Sequence, residues 1–286
     1  MSMALLRVLA VPGSRQGLSE SLVGAKQRWP DNLDLAWMLL LHCHAASGCD
    51  RSAAVRRVAT LDPHNAATWL NVMDEARLQG DEAAYDRALG RAAAARFYDA
   101  RLGTVFLHVR PMLAALPLPA SCRSPRLVGE LEAELGRSAT TEDFADIEAI
   151  SLDLATAIPA FATLSDCRTG SPGLTPGRRA DCLSLLDRIA TGDTLLERRV
   201  ALSHLLRLED DPGRLAALRE RYRRILWLST QSHRYLQPMP RDYGVRMWSD
   251  GEVNLLVELA SAHGEWPPPD GWLPQSKEQR ELILGR

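Results

Sequence analysis

The chain has 286 residues, of which 46% are hydrophobic and 24% charged, and its 34 basic and 36 acidic side chains give a net charge of −2. This length permits one large domain or two small ones with a substantial hydrophobic core. The composition excludes collagen-like and disordered chains, and the charge balance, which holds in both halves, argues against a highly charged nucleic-acid binder. All basic residues except Lys26 and Lys277 are arginine, a bias typical of a GC-rich, bacterial-like genome.

Helical periodicity dominates the sequence, and alternating β-branched runs are almost absent, which predicts an all-α fold. Local signals place several helix ends. Thr194 and Glu197 have capping-box spacing, as do Ser249 and Glu252, and Asp211 before Pro212 is typical of a helix start. Helical stops are expected at Gly48, Gly80 and Gly264. The predicted helices cover residues 18–29, 34–47, 51–61, 66–79, 81–96, 98–115, 124–136, 141–165, 176–191, 194–209, 212–236, 251–263 and 275–284.

An internal repeat occupies the N-terminal part of the chain. The segment 35–50 aligns with 67–82 at an offset of 32 residues, matching Trp37 with Trp69 and Gly48 with Gly80. With the Leu-Asp-Pro turn before the second copy, this pattern resembles the tetratricopeptide repeat, a family of stacked antiparallel helix pairs with a period of about 34 residues. The resemblance covers residues 30–98, and no third copy follows.

The resemblance implies antiparallel helical hairpins that form a tetratricopeptide-like α-solenoid, which we expect to continue as an irregular helical bundle. A break near residues 116–125 suggests regions 1–118 and 119–286, although one continuous domain also fits. The family binds a peptide or another protein on a concave surface formed by first helices. Carried over to this chain, the positions facing that surface are Met38, His42, Leu70, Asn71, Asp74 and Arg77.

One predicted helix carries three carboxylates that point within about 40° of one direction around the helix axis: Glu142, Asp146 and Asp153. Ile147 lies on the face of this helix that is expected to enter the core. The stripe is interpreted first as a solvated face. Its alternative roles are an acidic surface for a basic partner or a cation, and general acid–base chemistry, which close carboxylates perform when burial separates their pKa values.

The five cysteines are odd in number and form no CxxC motif. Cys167 and Cys182 flank a turn-rich loop, so they are either a disulfide or two unpaired thiols at helix ends. The cluster of His42, Cys43, His44 and Cys49 suggests a metal site, but helical spacing turns its side chains apart. We therefore expect no metal. The N-terminus lacks a clear export signal, which favours a cytoplasmic protein, with export through a removed signal as the alternative.

These patterns predict a non-enzymatic protein-interaction module without a cofactor, such as an adaptor, a chaperone-like factor or a toxin-neutralising partner. The runner-up is an all-α enzyme that uses acidic residues in a helical cleft. A nucleic-acid binder using the arginines of 214–224 ranks third. The segment 266–272, WPPPDGW, is expected to anchor the tail onto the helical body rather than to form a docking epitope.

Overall fold

The structure is a computed structural model that describes residues 25, 27–43, 50–117, 124–154, 161–171 and 173–286. Within these ranges all repetitive secondary structure is helical, which confirms the all-α class. A 3₁₀ helix covers Phe161–Asp166, and a π-helical turn covers Met247–Gly251. The α-helices are α1 (Leu33–His42), α2 (Arg51–Leu61), α3 (Ala66–Gln79), α4 (Glu82–Ala94), α5 (Thr104–Ala114), α6 (Pro125–Leu135), α7 (Thr141–Leu154), α8 (Pro176–Ile189), α9 (Leu195–Leu208), α10 (Pro212–Tyr235), α11 (Tyr243–Arg246), α12 (Glu252–Ala262) and α13 (Lys277–Leu284).

Helix ends with local sequence signals form where they were predicted. Thr194 and Glu197 make a complete capping box at the start of α9. Asp211 accepts a hydrogen bond from the backbone N–H of Arg214, and Pro212 occupies the first turn of α10. Gly80 ends α3 with φ of +68°, a left-handed conformation that costs glycine little. The predictions for residues 18–24 and for Gly48 lie outside the described residues.

Several expected helix ends or caps are wrong, and at two of them a long-range contact competes with the local signal. The helix expected over 34–47 ends at His42, where Cys43 has an extended backbone. The helix expected from residue 98 begins at Thr104, because the backbone of residues 96–97 bonds to residues 64–66 instead: the Arg96 N–H donates to His64 O at 2.9 Å. Ser249 does not cap α12, since the carboxylate of Glu252 accepts from the Leu195 N–H at 2.8 Å. Of the helix expected over 141–165, the structure describes Thr141–Leu154 as α-helix, and Phe161–Asp166 form a 3₁₀ helix instead; residues 155–160 lie outside the described ranges.

The helices pack mainly against their neighbours in sequence, with one interruption. α1 packs on α2, α2 on α3 and α3 on α4, and then α4 packs on α8 rather than on α5. The order resumes through α8, α9 and α10, and α10 also contacts α12 and α13. Helices α5 and α7 pack on each other in the stretch between α4 and α8. One cluster of buried side chains extends from α1 to α12.

The contact between α4 and α8 is held by arginines of α8. Arg178 pairs with Glu82 at 2.9 Å and Asp86 at 2.7 Å, and its guanidinium lies 5.2 Å from the centre of the Tyr85 ring. At the other end of α8, Arg188 Nη2 donates to the Ala93 carbonyl at 2.8 Å. These contacts fix the helices on either side of the α5–α7 stretch.

A disulfide joins Cys167 to Cys182, with the two Cα atoms 5.6 Å apart. Of the two alternatives that the sequence left open, the structure therefore contains the disulfide. It fastens the segment after the 3₁₀ helix to the middle of α8. Nearby, the Tyr85 hydroxyl donates to Thr163 O at 3.0 Å, so the same segment is also tied to α4.

The tryptophan-rich segment 266–272 folds back onto the body. Trp272 stacks edge-on against Trp227 of α10, with ring centres 5.2 Å apart. Trp266 packs against the core cluster, and Arg223 donates to Pro269 O at 2.8 Å. The segment is thus anchored within the chain, as predicted.

Candidate binding groove

The six positions expected on a concave surface do not share one exposed face. Met38 and Leu70 are each 1% exposed, so they lie in the core that the neighbouring hairpin covers, and the prediction that they face a groove is wrong. Asn71 donates to the Ala67 carbonyl at 2.9 Å. Asp74 is half-buried and pairs with Arg51 at 2.8 Å and with Arg77 at 3.0 Å, and of the two predicted residues only Arg77 is exposed. His42 ends α1, and its side chain is outside the described residues.

The acidic stripe is divided between the interior and the surface. Asp146 is buried and accepts from Arg110 Nε at 2.6 Å, while Glu142 is exposed. Burial raises the pKa of Asp146, although Arg110 acts in the opposite direction. Ile147, expected in the core, is 43% exposed. The side chain of Asp153 is outside the described residues. Helix α7 is thus turned so that a paired acid faces inward and an isoleucine faces outward.

Glycine and arginine explain this orientation of α7. A Cβ atom at Gly244 would lie 2.9 Å from Asp146 Oδ2, so only glycine lets α11 approach the buried carboxylate so closely. Arg110 on α5 supplies the charge that a buried carboxylate requires. Together they hold the inner face of α7 against α5 and α11 and leave the Ile147 face open.

That open face forms one wall of a groove between α5, α6 and α7. The cavity has a volume of about 950 Å³, within the range of ligand-binding pockets. Leu116, Leu127 and Ile147 keep 56%, 40% and 43% of their surface exposed around it. Its lining is Leu113, Leu116, Pro117, Leu127, Glu130, Leu131, Ala133, Glu134, Thr141, Phe144, Ala145, Ile147 and Glu148.

Both ends of α6 are fixed by local and long-range bonds. The side chain of Ser124 caps its start, ahead of Pro125. At its end the Met239 N–H donates to Leu135 O at 2.8 Å, and the next residue, Gly136, has φ of +64°. The serine cap thus sets where the helix begins, and the bond from Met239 ties its C-terminal end to the segment before α11.

Arg137 connects α6 to the start of α7. It donates to Met239 O at 2.8 Å and to Asp143 Oδ2 at 2.8 Å. Burial alone would raise the pKa of Asp143, but hydrogen bonds from Arg137 and Thr140 hold it below its ordinary value. Asp143 therefore stays ionised at neutral pH, which keeps intact its ion pair with Arg137 in the connection between α6 and α7.

The polar residues around the groove are acidic. Glu130 and Glu134 lie one turn apart on α6, and Glu148 lies on α7; all three are exposed. Glu130 pairs with Arg126 at 2.8 Å, but both side chains are largely solvated, so this pair is weak. In the described ranges Glu134 and Glu148 have no ion-pair partner, and no lysine or arginine lines the groove. The acidic rim, defined as Glu130, Glu134 and Glu148, is thus negatively charged.

A second group of acids surrounds a much smaller cavity of about 20 Å³, beside Tyr98, Asp193 and Glu197. Burial raises the pKa of Glu197 to about 7, although Thr194 donates to its carboxylate. The Tyr98 hydroxyl is buried beside the Glu197 carboxylate, and within the described ranges it makes no hydrogen bond of normal geometry. This space suffices for roughly one water molecule and not for an organic substrate. Sequence reasoning recognised Glu197 only as a capping residue.

Comparison with family models, curated proteins and solved structures finds no match to this chain. None of the helices in the described ranges combines the length and hydropathy of a membrane span. In the same ranges, no three histidine, cysteine or acidic side chains converge as metal ligands.

Proposed function

We propose that this chain is a non-enzymatic protein-interaction module and that the groove between α5, α6 and α7 binds a peptide or an exposed helix of another protein. The observation that carries the proposal is the convergence of exposed Leu116, Leu127 and Ile147 on one concave surface. Contiguous exposed apolar surface of this kind marks interaction sites on proteins, and grooves between helices are common docking sites for amphipathic helices.

The helices α1–α4 are proposed to be tetratricopeptide-like hairpins that support this site. Both repeated tryptophans bond to the turn between the copies: Trp37 Nε1 donates to Asp62 Oδ2 at 3.2 Å, and Trp69 Nε1 donates to Pro63 O at 2.9 Å. The two tryptophans therefore hold the same turn, Trp37 from the hairpin before it and Trp69 from the hairpin after it. On α3, Arg77 is the exposed member of the predicted surface, since Asp74 is half-buried between Arg51 and Arg77.

The competing functions have less support. An enzyme using the acidic stripe would need its carboxylates together, whereas Asp146 is paired with Arg110 and Glu142 is exposed. A nucleic-acid binder would need unpaired arginines on α10, whereas Arg214 pairs with Asp187 at 2.7 Å and Arg224 with Glu220 at 2.8 Å. We accordingly propose no cofactor and no nucleic-acid partner.

The disulfide bears on the compartment in which this module works. Disulfides persist in oxidising compartments and are rare in the cytosol. Cys167 and Cys182 are bonded, and Cys43 is disulfide-bonded as well. These bonds favour the exported alternative over the cytoplasmic one.

A pair of matched variants tests the proposed function. Leu127→Asp places a charge in the groove, and Leu196→Asp places one at a similarly exposed leucine on α9, outside it. Each purified protein, with helicity checked by circular dichroism, is used to capture partners from an extract of the native host. We expect wild type and Leu196→Asp to recover the same protein and Leu127→Asp to lose it. Recovery of that protein by Leu127→Asp at the wild-type level would refute the assignment of the groove.

A further inference from the structure

The groove has an apolar floor and open apolar walls. Leu131 and Ala145 form buried parts of its lining, at 9% and 5% exposure, while Leu116, Leu127 and Ile147 stand partly in solvent around them. A ligand that covers these walls must present several apolar side chains on one face. An amphipathic helix does so with anchors at positions i, i+4 and i+7.

The charges around the groove restrict this ligand further. Glu130 and Glu134 on α6 and Glu148 on α7 place carboxylates on two of the three helices that form the groove. A ligand with acidic flanks would bring like charges together, and a ligand with basic flanks would form ion pairs as its apolar face docks. The exposed rim also attracts a cationic ligand over about a Debye length, which is near 10 Å at 0.1 M salt.

We propose that the partner presents a basic amphipathic helix, with lysine or arginine flanking its apolar face, to the groove and its acidic rim. This inference rests on the proposed function, because it specifies the chemistry of the ligand for the same site. It predicts both a charge preference among ligands and a salt dependence of binding.

The test uses three synthetic helical peptides that share one leucine face and differ only in their flanking residues, which are lysine, glutamine or glutamate. Binding to the full-length protein is measured by fluorescence anisotropy at 50 mM and 500 mM salt. One variant, E130Q/E134Q/E148Q, neutralises the acidic rim. A control with the same change in net charge, E258Q/E278Q/E281Q, removes three glutamates at or near the surface of α12 and α13, which pair with Arg246, Arg207 and Lys277, and its helicity and stability are compared with wild type before binding is measured.

We expect the lysine peptide to bind about tenfold more tightly than the glutamate peptide at low salt, since several exposed ion pairs each contribute modestly. This preference should disappear in the rim variant and at high salt, and should persist in the control variant. Leu127→Asp should weaken all three peptides.

The contrary outcomes are distinct. If the three peptides bind equally and Leu127→Asp weakens them all, the charge inference fails and the proposed function stands. If no peptide binds and Leu127→Asp captures partners at the wild-type level, both the charge inference and the proposed function fail. If the protein dimerises with rising concentration and Leu127→Asp abolishes the dimer, the groove is an interface between copies and the basic-helix partner is overturned.

Discussion

Removing the disulfide between Cys167 and Cys182 should lower the free energy of unfolding by about 3 kcal/mol. The cysteines are 15 residues apart in sequence, and closing a loop of that length in the unfolded chain accounts for about 3 kcal/mol at 25 °C in the chain-entropy model. Both sulfur-bearing residues are buried, at 1% and 0% exposure. The variant C167A/C182A adds a small packing loss to this cost.

The assay is urea unfolding of wild type and C167A/C182A in buffer without reductant, followed by circular dichroism. The bond itself is checked by tryptic digestion without reduction, because the sequence places Cys167 in the peptide 138–168 and Cys182 in the peptide 180–188. The two peptides should be linked, and reductant should separate them. Separate peptides before reduction, or a variant within about 0.5 kcal/mol of wild type, would refute the reasoning.

Three further predictions concern buried polar groups and glycines. Because burial raises the pKa of Glu197 from 4.5 to about 7, its contribution to stability is fully present below pH 4.5 and is lost as pH rises through 7. This loss amounts to about 3 kcal/mol at 1.36 kcal/mol per pH unit. Urea unfolding at pH 5 and pH 8 should show the loss in wild type and not in Glu197→Gln. Equal pH dependence in both proteins would contradict the assignment. Asn65 is fully buried, and its side chain forms hydrogen bonds with Asp62, Ala67 and Asp99. Asn65→Ala should therefore lower the free energy of unfolding by about 3 kcal/mol. The control Asn71→Ala loses one hydrogen bond and should lower it by about 1 kcal/mol or less. Gly103→Ala should lower the melting temperature more than Gly80→Ala. Both glycines have positive φ, but only a Cβ atom at position 103 would contact a side chain, that of Trp248 at 2.7 Å. Equal changes in melting temperature would show that this contact relaxes freely.

Helix positions were predictable wherever the determinants were local. The capping box of Thr194 and Glu197 and the proline start after Asp211 involve residues within one turn, and both formed as expected. The failures came from distant competitors. Ser249 and Glu252 have the same spacing as the first capping box, but the Glu252 carboxylate bonds to Leu195, 57 residues away in the chain. Sequence spacing carries no information about such a partner.

The location of the candidate site was less predictable, because periodicity reveals an apolar face without revealing what covers it. Met38 and Leu70 lie on faces that the adjacent helices cover, so they are core residues. Leu127 and Leu131, with Glu130 and Glu134 beside them, formed a readable amphipathic pattern on α6. The sequence does not show that α4 packs on α8 and that α5–α7 lie outside this order of neighbouring helices. Without that information, the covered faces of α1 and α3 cannot be distinguished from the open face of α6.

The direct packing of α4 on α8 has a consequence for folding during synthesis. Residues 95–175 separate the two helices, and ribosomes add about 5–20 residues per second. The hairpins α1–α4 make mostly sequence-local contacts and can form early. The face of α4 that carries Tyr85 and Ala93 therefore stays uncovered for several seconds, until α8 with Arg178 and Arg188 has been synthesised. A nascent chain that pauses within this interval displays the face of α4 that α8 covers in the folded protein.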